Sequence, residues 1–263
     1  MTTNRRNFLK IAGASALTLM APSILRPSWA RNNVIIPANA APAIKTSAKA
    51  LTARRWAMTV DPSKCPAGCV DCIAACHTTH NVPEFGNSKD EIKWIWQEDF
   101  PRIFPGENHS YLPKTASSMR PIVLCNHCAN PPCVRVCPTK ATFQRPDGIV
   151  MMDYHRCIGC RLCMAGCPYG ARSMNYRDPR PFIAKTNPDF PTRTKGVVEK
   201  CNFCEERLAR GMRPACVEAC KQKAMVFGDV ENPFSEIRST LEKRFNLRRR
   251  ANLGTAPQIY YIL

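Results

Sequence analysis

The sequence predicts an α+β fold made of two pseudo-repeated, cysteine-rich modules with long loop inserts, and three observations predict it. Sixteen cysteines in 263 residues fall into four groups of four, with none left over. The groups alternate in spacing and flanking sequence as A-B-A-B. Short apolar or β-branched stretches flank the groups, the pattern of small strands joined by loops rather than of long helices. Prolines (23) outnumber glycines (12), in keeping with many fixed bends. There is no G-x-G-x-x-G, Walker P-loop, H-E-x-x-H, G-x-S-x-G or C-x-x-C-H motif. Dinucleotide, P-loop, zincin, serine-hydrolase and c-type haem readings lose their usual warrant.

The chain opens MTTNRRNFLKIAGASALTLMAPSIL. Arg5 and Arg6 precede Phe8, Leu9 and Lys10, then a mildly apolar run from Ile11 to Leu25 broken by Gly13, Ser15, Thr18 and Pro22. The run is too short and too weak for a membrane span. Residues 1–30 read as a twin-arginine export signal, with Ser28-Trp29-Ala30 as the cleavage site and Ala38-Asn39-Ala40 as a second candidate. That route carries folded proteins and suits a cofactor inserted before export. The mature protein is expected in the periplasm, held at the membrane only through partners. Residues 31–55, rich in Ala, Pro, Asn and Lys, read as an extended arm or linker, and residues 56–263 as the globular domain.

The first group is Cys65, Cys69, Cys72 and Cys76, spaced C-x3-C-x2-C-x3-C. The second, Cys125, Cys128, Cys133 and Cys137, is C-x2-C-x4-C-x3-C-P. The third, Cys157, Cys160, Cys163 and Cys167, is C-x2-C-x2-C-x3-C-P, and the fourth, Cys201, Cys204, Cys216 and Cys220, is C-x2-C-x11-C-x3-C. The third group has the bacterial ferredoxin spacing for a 4Fe-4S cluster, whose first three cysteines serve one cluster and whose fourth serves the neighbouring one. Disulfides are the ordinary use of exported cysteines, but so dense a spacing is awkward for them. Zinc ribbons use C-x2-C pairs yet do not predict C-x2-C-x2-C-x3-C-P. Four 4Fe-4S clusters are the favoured reading, and a structural zinc protein is the rival from another class.

Repeats show the pairing. Trp56–Cys65 reads WAMTVDPSKC and Gly148–Cys157 reads GIVMMDYHRC, with Asp61 and Asp153 each four residues before a first cysteine. Val123–Cys128 (VLCNHC) matches Glu199–Cys204 (EKCNFC), and both regions run on to an apolar strand at Ala141–Phe143 and Ala224–Phe227. The insertion EERLARGMRPA in group four reads as a helical turn closed at Gly211. The fold is thus two bacterial ferredoxin-like modules, each for two 4Fe-4S clusters: one from 125–167, the other closing 65–76 onto 201–220. Exchange of the fourth ligand gives four sites: Cys65, Cys69, Cys72 with Cys220; Cys201, Cys204, Cys216 with Cys76; Cys125, Cys128, Cys133 with Cys167; and Cys157, Cys160, Cys163 with Cys137. His77, His127 and Lys221 adjoin ligands and are candidates for tuning potential.

Lys+Arg 38 against Asp+Glu 20 gives +18, which becomes +14 once Arg5, Arg6, Lys10 and Arg26 leave with the signal. A 4Fe-4S site with four thiolates carries about −2, so four bring the total to about +6. Little basicity is left over for nucleic acid, and none is expected as a partner. Arg248-Arg249-Arg250 reads as a solvated turn. Two inserts, His77–Arg120 and Ala171–Val198, interrupt the pattern. In the first, Ile92, Trp94 and Trp96 alternate onto one face, local core or a docking face for a partner. The chain reads as a conductor with no catalytic residues of its own.

On the stretches DCIAACHTTHNVP, LCNHCANPPCVRVCPTKATF, GIVMMDYHRCIGCRLCMAGCPYGARS, RDPRPFI, FPTRTKGVVEKCNFCEERLARG and LGTAPQIYYIL, residues 56–263 resemble the NrfC/DmsB family of four-cluster electron-transfer subunits. Within it they are most similar to the DsrO-type periplasmic subunits of DsrMKJOP complexes of sulfur metabolism. The resemblance implies an NrfD-like, quinone-interacting integral membrane subunit and a periplasmic multihaem cytochrome c as partners, with electron exchange with menaquinone. An NrfC-like subunit of a nitrite or polysulfide reductase is the alternative. The C-x3-C opening of group one departs from the family's C-x2-C.

Overall fold

The computed structural model describes residues 47–263 apart from Asn108. The segment read as an export signal, 1–30, and the segment read as an arm, as far as residue 46, lie outside the described residues. The described strands are β1 (Trp56–Val60), β2 (Ile95–Gln97), β3 (Ile122–Leu124), β4 (Thr142–Gln144), β5 (Val150–Met152), β6 (Ser173–Met174), β7 (Val198–Glu199), β8 (Met225–Asp229), β9 (Asn246–Leu247) and β10 (Ile259–Ile262). Helices are equally short, from four residues to the nine of Asp71–Thr79. The fold is α+β. Among the described residues no helix is long and apolar enough to cross a membrane.

Four strands form one sheet in the order β8-β1-β10-β9, with β1 parallel to β10 and antiparallel to β8. The other strands pair antiparallel as β2–β3, β4–β5 and β6–β7. All five residues of β1 are buried, so its sequence WAMTV shows little polar alternation. Trp56 stacks on Phe227 of β8 with ring centroids 4.8 Å apart. The chain must return twice to build this sheet, once after the fourth cysteine group and once at its C-terminus.

The β8–β1 and β4–β5 pairs are built alike. In each, a strand that follows one cysteine group pairs with the strand that leads into another. An aspartate N–H closes the ladder at the same place: Asp61 donates to Ala224 O and Asp153 to Ala141 O, both at 2.7 Å. Each carboxylate then organises the next turn, Asp61 Oδ1 accepting from Ser63 Oγ at 2.5 Å and Asp153 Oδ1 from His155 N–H at 2.9 Å. The helices Asp71–Thr79 and Ala215–Ala219 pack together, as do Pro132–Arg135 and Leu162–Ala165. The helical turn Glu205–Leu208 ends near Gly211 at φ +83°, whose N–H donates to Leu208 O. The end of the arm lies against it: Ser47 and Leu51 N–H donate to Ala209 O and Leu208 O, both at 2.9 Å.

Ile92, Trp94 and Trp96 are all buried, at 1%, 0% and 8% exposure. They are local core, the first of the two readings: Trp94 stacks on His80, and β2 pairs with β3 inside the molecule. The solvated-turn expectation for the arginine run is corrected at Arg249, which is buried with its guanidinium 5.4 Å from the Tyr169 ring. The two inserts meet around a fully buried ion pair, Arg193–Glu199, at 2.6 Å. Glu199 also accepts from Trp94 Nε1 (2.8 Å) and Asn175 Nδ2 (2.5 Å), and Arg193 donates to Asn81 O (2.8 Å). Removing one partner of such a pair strands a buried charge, at a cost of ~3–5 kcal/mol. Arg193→Met is therefore expected to lower stability by ~3–5 kcal/mol, measured as the shift in unfolding midpoint of the loaded chain. An unchanged midpoint would show that the inserts are not locked by this pair.

Candidate iron–sulfur sites

All sixteen cysteines are free of disulfides. Cys65, Cys69, Cys72 and Cys220 line one pocket together with Ile122 and Met225. Cys125, Cys128, Cys133 and Cys167 line a second, with Val150, Tyr169 and Arg172. In both, three cysteines of one group face the last cysteine of another. Burial pushes the thiol of Cys76 well up, and the sulfurs of Cys204, Cys201 and Cys216 add to the rise. The remaining quartet is the least gathered. Cys163 lies near Cys157 in a small apolar cluster, Cys160 is exposed, and Cys137 takes hydrogen bonds from Thr139, Thr142 and Ala141.

Local backbone geometry aims donors at these sulfurs. In the two C-N-x-C loops the third residue is left-handed, His127 at φ +41° and Phe203 at φ +57°. Phe203 N–H points to Cys201 Sγ and Ala215 N–H to Cys204 Sγ, both at 3.4 Å, and Ala224 N–H to Cys220 Sγ at 3.3 Å. Amide N–H groups aimed at sulfur favour its anionic form. The extra residue in group one is taken up by a turn in which Cys69 N–H donates to Pro66 O at 3.1 Å, with Gly68 at φ +75°. Cys65 and Cys69 thereby still reach the same pocket.

Burial pushes the thiols of Cys72, Cys128 and Cys201 up to about 12, and neighbouring cysteine sulfurs add to the rise. A thiolate is the ligand form, and in such a place only a bound cation makes it stable. Four sulfurs around a dry pocket with amide N–H groups turned toward them is a donor set that fits a 4Fe-4S cluster.

Of the three tuning candidates, Lys221 is a surface residue paired with Asp71 at 3.4 Å. His77 is partly buried, and burial lowers its pKa. His127 is fully buried; burial, then Lys200 and Arg172, hold it well below the usual imidazole range. It accepts from Val150 N–H at 3.1 Å and stacks on Phe203 with centroids 3.7 Å apart, joining the two C-N-x-C loops.

Sequence reasoning passed over His80 and the buried cations. His80 Nδ1 lies 2.9 Å from Cys76 O and 3.6 Å from Cys76 Sγ, and Nε2 lies 2.9 Å from Glu206 Oε1. The i,i+4 offset from Cys76 was its available signal. Lys200 and Arg172, 1% and 4% exposed, stand among the sulfurs with no carboxylate in ion-pair range among the described residues.

Comparison with known proteins agrees with this chemistry. A family model described as a 4Fe-4S dicluster domain matches residues 119–180 and 187–230. The Hdr-like menaquinol oxidoreductase iron-sulfur subunit 1 of Archaeoglobus fulgidus is 40% identical, across 98% of this chain and 97% of that protein. The iron-sulfur cluster-binding subunit of menaquinone reductase from Nitratidesulfovibrio vulgaris is 37% identical over 79% of this chain and 88% of its own. An NrfC homologue of Haemophilus influenzae is 35% identical over 98% and 94%.

Gly159, between Cys157 and Cys160, has φ +67°, and a Cβ there would press into the carbonyl oxygen of Gly196 and lie 2.9 Å from Met174 Cε. Gly159→Ala is expected to destabilise this loop by ~1–3 kcal/mol and to release iron from the chain. Thermal unfolding and iron assay of anaerobically purified protein check it; full iron at an unchanged melting temperature would show that the loop yields freely.

Proposed function

The chain belongs to the 4Fe-4S dicluster family of iron–sulfur electron-transfer subunits, and from that membership we propose that it is a four-cluster relay in a quinone-linked membrane oxidoreductase complex. The observation that carries the ligand assignment is the make-up of the two pockets, each walled by three cysteines of one group and the last of another. The four exchanged quartets are Cys65, Cys69, Cys72 and Cys220; Cys201, Cys204, Cys216 and Cys76; Cys125, Cys128, Cys133 and Cys167; Cys157, Cys160, Cys163 and Cys137. The matching β8–β1 and β4–β5 ladders, each closed by an aspartate N–H, support two pseudo-repeated modules. Each cluster supplies one-electron chemistry. The chain's own part is to hold the sulfurs, exclude water and set the local charge.

The domain scheme is a twin-arginine signal at 1–30, an arm at 31–55 and the relay at 56–263, on the periplasmic side of the membrane. Menaquinol and menaquinone in the relatives' names support a quinone-interacting, NrfD-like membrane subunit as one partner. The resemblance to DsrO-type subunits supports a periplasmic multihaem cytochrome c as another, in sulfur metabolism. The near full-length match to an NrfC homologue favours a second reading, an NrfC-like subunit of a nitrite or related reductase. Neighbouring genes separate the two.

Anaerobically purified chain is expected to hold about 16 iron and about 16 sulfide; four zinc ions without sulfide would establish the rival. Cys167→Ser is expected to alter the paramagnetic resonance signal of the cluster on Cys125, Cys128 and Cys133 while sparing the one on Cys157, Cys160 and Cys163. Loss confined to the latter would refute ligand exchange. Arg5→Lys with Arg6→Lys is expected to leave the protein in the cytoplasm in cell fractionation, and an unchanged periplasmic pool would remove the export assignment.

A further inference from the structure

Buried charges are ordinarily paired, because an isolated one is costly to take out of water. Arg193 obeys the rule through Glu199. Three other buried cations do not: Arg172 lines the pocket of Cys125, Cys128, Cys133 and Cys167, and Lys200 and Arg249 stand behind residues of its wall. The Lys200 ammonium donates to the carbonyl of Val150, a residue of that wall, and to Cys201 O at 2.6 Å. Arg172 lines the pocket itself and donates to Thr142 Oγ1 at 2.7 Å. Arg249 covers the ring of Tyr169, another wall residue, and its Nε and Nη1 are buried without a partner. Among the described residues none of the three has a carboxylate in ion-pair range.

The other gathered sites lack such a surrounding. The pocket of Cys65, Cys69, Cys72 and Cys220 has Asp71 and the exposed Lys221, paired with each other. Near Cys76, Cys201, Cys204 and Cys216 a buried carboxylate, Glu206, held by His80 and Asn202, offsets the cation of Lys200 at Cys201. One site has three unpaired cations beside it, one a solvated pair, and one a buried anion together with Lys200.

We propose that Lys200, Arg172 and Arg249 form a cage of buried cations that makes the cluster on Cys125, Cys128, Cys133 and Cys167 the most easily reduced of the four, and so the place where an electron rests between transfers. This builds on the ligand sets proposed above. Reduction adds one electron and one negative charge to a site that is already anionic, and nearby cations favour the reduced form. Two of the three are shared. Lys200 also donates to Cys201 O, and the charge of Arg172 acts on the sulfurs of both Cys133 and Cys163. Removing each charge therefore has a distinct signature: Lys200 and Arg172 each act on two sites, they have one site in common, and Arg249 acts on that common site alone. These are positioning residues, so the measurement is a potential rather than a rate.

The test is a dithionite titration of the full-length, cluster-loaded chain followed by paramagnetic resonance. The variants are Lys200→Gln, Arg172→Gln and Arg249→Gln, with Lys200→Arg as the charge-keeping control. Iron and sulfide content of the unaltered chain is read first; a count short of four clusters would fail the ligand assignment and not the cage. With four clusters present, each neutral variant should weaken reduction of one common cluster about tenfold, a fall of about 59 mV for one electron. That cluster should have the highest potential and be the one altered by Cys128→Ser. Lys200→Arg should leave it in place. Variants that share no affected cluster, or share one that is not the highest, would overturn the proposal. Any two of the three decide it, and failure of two or more to load clusters while Lys200→Arg loads fully would place the charges in assembly and overturn their role in potential.

Discussion

The rest of the molecule depends on one constraint, that in both gathered pockets the last cysteine of one group stands with three cysteines of another. In the pocket of Cys65, Cys69 and Cys72 the fourth sulfur comes from Cys220, more than a hundred residues along the chain. Such a contact closes a long loop whose entropy must be offset. The structure offsets it with the β8–β1 ladder and with the packing of Asp71–Thr79 on Ala215–Ala219, which buries Cys72, Cys76, Cys216 and Val217. The inner pair of groups needs no such return, and a short hairpin, β4–β5, suffices. Sheet size follows from loop length: the outer closure carries four strands and the inner one two.

Charge is the second constraint, and it acts on what the first has gathered. Anionic clusters close together in one small domain repel one another, and a chain without compensating cations would lose both affinity for iron and ease of reduction. Surface lysines answer part of this weakly, because water screens them. Lys200 and Arg172 answer more strongly because they are buried. Few of the basic residues act from inside the molecule, but those few are the least screened. The same logic separates Arg193, whose charge is consumed by Glu199 in holding the inserts together, from the cations that face sulfur.

Spacing was the legible part. It pointed to the two quartets that the structure gathers in pockets, to the aspartate four residues before a first cysteine, and to the turn closed at Gly211, because ligand reach and turn geometry are short-range properties that a local sequence must state openly. The inserts were only half legible. Alternation placed Ile92, Trp94 and Trp96 on one face, but whether that face meets core or partner depends on residues 171–198, which carry no periodicity. The buried cations were not legible at all. Lys200 sits in EKC and Arg249 in a run of three arginines, and local composition marks both as solvated; only tertiary placement removes them from water. His80 fell between, one helical turn beyond Cys76 and recognisable only once Asp71–Thr79 is known to be a helix.

The buried thiols tie folding to metal insertion. With pKa values pushed up to about 12 by burial, Cys72, Cys128 and Cys201 cannot become thiolates inside the folded chain unless iron arrives with them. These residues belong to or abut the main core, alongside Trp94, Phe203 and Tyr261. A chain without clusters would therefore have to close its core over protonated, mutually crowded sulfurs while Lys200 and Arg172 remained buried without a counter-charge. Each of those terms opposes folding, and each is relieved by the same event, binding of an anionic cluster whose irons hold the thiolates. Cluster insertion and core formation thus favour one another. A protein of this kind has to be completed where iron and sulfide are delivered, which is the physical reason an export route for already folded chains suits the proposed address of residues 1–30.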